Sequence, residues 1–211
     1  MIRHRKRTLA ALILAAIILA GIAVTGVYIY AKHSGIKLEA GTDYMIDNVV
    51  YYYQKDSRWK DDPLGTSQYH MGDSGCLVCC LAAEINLQQI EIDGFNTELD
   101  PKTLNSFFSQ NNVYDSEGNI QWAALENAIG KNVVLKDASE LENNEIQKLI
   151  ESGCFPVVMV KMPKSGNLHF VLIVSCKDGD FICMDPMNKD LKPVPLSYFN
   201  NTIYSVRYIQ N

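Results

Sequence analysis

The chain has 211 residues, 47% hydrophobic and 20% charged, which suits one folded domain with a sizeable core and excludes a disordered or low-complexity chain. Its net charge of -5 hides an asymmetry: apart from Arg3, Arg5, Lys6 and Arg7 there is no charge before Lys32, and the rest carries 15 Lys+Arg against 24 Asp+Glu, a net of -9. A body this acidic offers no broad footprint for nucleic acid and weakly favours cationic peptides by long-range steering.

Residues 9–31 are uncharged and rich in Ala, Leu and Ile. Roughly 20 apolar helical residues cross a bilayer, so this run reads as a transmembrane signal-anchor. Basic residues lie only on its N-terminal side, which predicts a cytoplasmic N-terminus and the rest outside the cell. Tyr28 and Tyr30 would then sit at the outer interface. A cleaved signal peptide is the competing reading, with small residues at Gly21-Ile22-Ala23, and it would make the domain secreted. Residues 32–47 have mixed polarity and no period, and are expected to form a stalk. The domain is expected over 48–211.

Residues 48–54 are β-branched and aromatic, hence expected as a strand, and 55–75 as a loop. Residues 76–87 are apolar over a wide arc and read as a buried helix. Asp100 followed by Pro101 is a helix start, with Leu104, Phe107 and Phe108 on the inner face. Residues 120–129 form another helix that Gly130 can close. Asn143 or Asn144 can cap one running to Ser152, which Gly153 would end. The pattern then changes: 155–161, 168–176, 180–184 and 203–209 read as short strands rich in Val and Ile. Helices followed by an antiparallel sheet predict an α+β fold in one domain.

Cys76, His169 and Asp185 are the residues that can carry chemistry. Cys76 follows Gly72-Asp73-Ser74-Gly75, so Asp73 or Ser74 is expected to cap its helix and Cys76 to lie in the first turn. Free N–H groups there favour a thiolate. His169 is embedded in an apolar strand, and Asp185 closes the next one. With a two-residue turn at Asp178-Gly179, position 169 faces 188 and Asp185 points away. A three-residue turn puts 169 opposite 187 and Asp185 in diagonal reach. The triad therefore requires the longer turn, or an Asp185 beyond regular pairing. Cys76 would then be the nucleophile, His169 the base and Asp185 the group that orients the ring. The Cys76 N–H and a Gln side chain are candidates for the oxyanion hole.

Tyr53-Gln54-Lys55-Asp56-Ser57-Arg58-Trp59, Ser74-Gly75-Cys76, Leu168-His169-Phe170 and Met184-Asp185-Pro186, in that order, resemble the C39-like cysteine peptidases. These are a papain-like group related to the leader-cleaving domains of bacteriocin exporters. The resemblance covers about residues 48–210. It implies a papain-like fold, peptide hydrolysis through an acyl-enzyme on Cys76, and an oxyanion glutamine at Gln54. In exporter domains that glutamine lies closer to the cysteine, which makes Gln68 the rival. Peptide or protein substrates, the membrane and a separate exporter chain are the expected partners.

Cys79 and Cys80 read as core. No second Cys or His pair has zinc spacing, and neither metal nor cofactor is expected. Cys154, Cys176 and Cys183 are candidates for disulfides with no deducible pairing. A surface binding module that lost turnover, and an amide or γ-glutamyl transferase related to the phytochelatin synthases, are the alternative functions.

Overall fold

The computed structural model describes residues 34–95 and 99–210, together with the helical positions 18, 19, 21, 22 and 26. The greater part of the expected anchor at 9–31 lies outside the described residues. Among the described residues no helix is long and apolar enough to cross a membrane. The chain divides into two units, Met1–Ser34 and Gly35–Asn211, and the second carries the fold described below.

After a short strand β1 (Ile36–Lys37), four helices come first: α1 (Met71–Ser74), α2 (Cys76–Leu87), α3 (Pro101–Gln110) and α4 (Trp122–Ile129). Helix α2 is apolar on nearly every side, and a helix of that kind has to be central. Its residues 78–85 are all buried. The small side chains of Cys79, Cys80, Ala82 and Ala83 allow neighbours to approach closely. Asp100 caps α3 by accepting the Thr103 N–H at 2.8 Å, with Pro101 opening the helix. Gly130 closes α4 in the left-handed conformation, with φ 66°.

The remaining elements are β2 (Val133–Asp137), α5 (Glu145–Glu151), β3 (Val157–Lys161), β4 (Leu168–Lys177), β5 (Asp180–Met184), β6 (Val194–Pro195), β7 (Thr202–Ile203) and β8 (Ser205–Ile209). Six of the strands form one sheet in the order β2-β8-β3-β4-β5-β6, antiparallel at every step. The expected helices-then-sheet order is interrupted only by β2, which precedes α5 and adds to the sheet edge beside β8.

Two expectations are corrected. Residues 48–54 form no strand. Their aromatic side chains are used for packing instead: Tyr52 is buried with its ring edge-on to Trp59 at 6.1 Å, and its hydroxyl donates to Leu99 O. The segment expected as a stalk is hydrogen-bonded into the domain. Ile36 pairs with Ile203, and Tyr44 and Cys176 exchange backbone hydrogen bonds at 2.9 Å. Gln147 spans the Gly41 N–H and the Thr42 carbonyl. All six cysteines are free.

Candidate active site

Cys76 is the first residue of α2, and backbone packing puts it there. Helix α1 ends at Ser74, and the Gly75 N–H donates to Met71 O at 2.8 Å. A Cβ on Gly75 would lie 2.5 Å from Met71 O and 2.8 Å from its Sδ, so only glycine lets the two helical pieces abut. Gly75, with φ -84°, occupies the N-cap position of α2, and no side chain caps this end. The expected cap at Asp73 or Ser74 is thus corrected: both residues lie inside α1. Cys76 is half-buried, at a helix end whose first-turn N–H groups lack intrahelical acceptors.

His169 and Asp185 are both buried, and His169 Nε2 lies 2.7 Å from Asp185 Oδ1. The same oxygen accepts the Met187 N–H at 2.8 Å. With Nε2 so engaged, Nδ1 is the nitrogen left to face Cys76, which lies near enough to raise the pKa of the ring. Burial opposes protonation of His169. The hydrogen bonds and charges of Asp185 and Cys76 outweigh it and raise the imidazole from 6.5 to about 9. A cation between two potential anions is the arrangement a thiolate–imidazolium pair needs.

The register that brings these two residues together differs from the expected one. Lys177 pairs with Asp180, so the turn has two residues, Asp178 and Gly179. Both have positive φ, at 52° and 81°, as a type I′ turn requires. The ladder then shifts by one between Ile173 and Ser175, leaving Val174 as a bulge, and beyond it Leu172 pairs with Met184. Extending that register puts His169 opposite position 187. Asp185, one residue past β5, is then on the face His169 uses. A bulge thus does what the longer turn was expected to do.

Gln54 is buried, and Gln68 is exposed. The Gln54 side chain donates from Nε2 to Gly72 O at 3.0 Å, one helical turn before Cys76. Its backbone N–H donates to Pro186 O at 2.8 Å, next to Asp185. Gln54 therefore ties the loop of the acid to the helix start of the thiol. The Gln54 amide has a second N–H that Gly72 does not use.

A cleft of about 600 Å³ opens beside the start of α2. Ser74 and Leu77, on either side of Cys76, line it, as do Phe170, Trp122 and Arg207. Two larger hollows, of about 840 and 980 Å³, are lined by other parts of the surface. No motif marks Arg207 in the sequence: it is one basic residue on the last strand, and only the sheet order carries it here.

Comparison of the sequence with protein-family models and with curated proteins finds no match. Among solved structures, the chain is similar to a crystal structure of a Bacillus anthracis protein assigned as a C39-like peptidase. The TM-score is 0.52 at 14% identity, over 81% of this chain and 99% of that one. At this identity the likeness is one of fold: the mixed α+β architecture with its antiparallel sheet is shared with a C39-like peptidase neighbour.

Proposed function

We propose that the protein is a cysteine peptidase of the C39-like type. It is held at the cell membrane by residues 9–31, with the N-terminus in the cytoplasm and the Gly35–Asn211 unit outside. The single observation that supports the chemistry is the buried His169–Asp185 pair at 2.7 Å, with Cys76 near enough to raise the pKa of the ring. The anchor rests on the uncharged run and its one-sided basic flank.

The Cys76 thiolate attacks the carbonyl carbon of a peptide bond, and the carbonyl π electrons move onto oxygen. The Gln54 amide and the Cys76 N–H stabilise that oxyanion. Collapse expels the amine, which takes the proton from His169 Nδ1, and leaves a thioester on Cys76. Neutral His169 then removes a proton from water, and the hydroxide displaces the thiol as thiolate. Asp185 keeps the ring oriented throughout and stabilises its charged form.

The test is incubation of the full-length protein in detergent with a diverse peptide mixture, followed by mass spectrometry of the products and of the protein. Cleaved peptides and an acyl adduct on Cys76, both absent in Cys76→Ala, are expected. Cleavage that persists in Cys76→Ala would overturn the reading. Added amine nucleophiles separate hydrolysis from transfer.

A further inference from the structure

Arg207 stands out in the cleft. Its guanidinium lies 4.3 Å from the Phe170 ring centre and 5.2 Å from that of Trp122. Nη2 donates to Ser205 Oγ at 3.0 Å, while Nε is buried without an acceptor. Among the described residues no carboxylate forms an ion pair with it. Glu117, the one acid lining the cleft, is exposed. Burial lowers the Arg207 pKa to about 10, against the pull of the Cys76 and Cys80 charges, so it remains a cation at neutral pH.

A half-buried cation whose Nε is buried and with no carboxylate paired to it is unfavourable until an anion joins it. Two aromatic faces fix the guanidinium plane, so its fork is oriented before a ligand arrives. A carboxylate is the group that fork matches. Ser74 and Leu77 line the cleft on either side of Cys76, and Arg207 is near enough to the thiol for a charge on Cys76 to act on it, so an occupant of the cleft lies beside Cys76. The surrounding body is acidic, with -9 from Lys32 onward. A carboxylate therefore gains here and is repelled elsewhere, which sharpens selectivity.

We propose that Arg207 is a specificity-determining residue and that the peptide bound beside Cys76 places an Asp or Glu side chain against it. This rests on the peptidase reading above, and the experiment keeps the two apart. Pairs of peptidyl ketone electrophiles, identical except for Asp against Asn at one position, are scanned along the peptide. Labelling of Cys76 in the full-length protein is followed by mass spectrometry beside plain iodoacetamide.

At one position the Asp electrophile should label at least ~10-fold faster than its Asn twin, the scale of a charge-assisted hydrogen bond. Arg207→Met should collapse that ratio to about 1, and Arg207→Lys should keep part of it. Both twins report on the same folded molecules, so partial unfolding of a variant cancels, and the lysine variant covers the case in which methionine is not tolerated. Twins that label equally at every position, with Cys76 still selectively alkylated by iodoacetamide, would overturn the proposal and leave the peptidase reading standing. An Asp preference that survives Arg207→Met also overturns it. Loss of selective iodoacetamide labelling in the parent protein removes the peptidase reading and this inference together.

Discussion

Asp185 Oδ1 lies 2.7 Å from His169 Nε2 and accepts the Met187 N–H as well. The carboxylate is held from its own loop, so the ring is oriented by a group that cannot swing with it. Asp185→Ala should lower the His169 pKa from about 9 towards the ordinary imidazole value, because burial is then opposed by Cys76 alone. Hydrolysis should fall by ~100-fold or more, the scale of lost acid–base catalysis. Histidine-resolved NMR titration with the rate measurement checks both, and an unmoved titration would contradict the arrangement.

The same raised pKa sets the pH dependence. The charged His169 ring contributes folding stability that is complete below about 6.5 and is lost as pH rises through about 9. Hydrolysis should decline over that alkaline limb, because a neutral imidazole has no proton for the leaving amine. A pH–rate profile with no fall up to pH 10 would exclude His169 as the proton donor.

Gln54 and Gln68 make a contrast in which one residue is expected to matter. Gln54→Ala should lower kcat by ~100-fold, as removal of an oxyanion donor does. Alkylation of Cys76 by iodoacetamide, which needs no oxyanion, should be nearly unchanged. Gln68→Ala should leave both rates within twofold, roughly the scatter of exposed substitutions.

Glu84 sits in the middle of α2, buried, with Oε1 accepting the Ile209 N–H at 2.6 Å and Gln88 Nε2 at 3.0 Å. Oε2 meets no partner. Burial pushes its pKa well above the ordinary carboxyl value, and the two hydrogen bonds only partly oppose this. A group raised in this way favours folding at acid pH and costs stability as pH climbs above its unfolded value. Glu84→Gln should therefore gain on the parent protein between pH 4 and pH 8 by at least ~1 kcal/mol, about one pKa unit. Denaturant melts at the two pH values decide it.

The domain boundary is also testable. A chain beginning at Gly35 keeps the β1–β7 pair, the Tyr44–Cys176 backbone bonds and the Gln147 contacts, whereas one beginning at Asn48 loses them all. At ~1 kcal/mol per hydrogen bond, the shorter chain should be less stable by several kcal/mol. Equal melting temperatures would return residues 36–44 to the role of a stalk.

What was legible in the sequence follows from locality. Helix α2, the Asp100-Pro101 start and strand β5 were readable because apolar spacing, a capping residue or a turn glycine sits within a few positions of each. The bulge at Val174 was not, since residues 170–174 are all apolar and nothing local distinguishes the extra one. Residues 36–44 were not, because their partners, Cys176, Gln147, Asn201 and Ile203, are far along the chain. The candidate triad could be named from residue types, but its register depended on that bulge. Arg207 depended on sheet order alone.

The central claim is that Cys76 and His169 form an activated pair. The most direct measurement is alkylation of the full-length protein with an iodoacetamide probe from pH 4 to 9, with each modified cysteine mapped by mass spectrometry. Cys76 should label in preference to Cys79 and Cys154 already below pH 7, and His169→Ala should abolish that preference. If Cys76 labels no faster than Cys154 and follows an ordinary thiol profile near ~8.5, the pair has no special reactivity and the peptidase account is wrong.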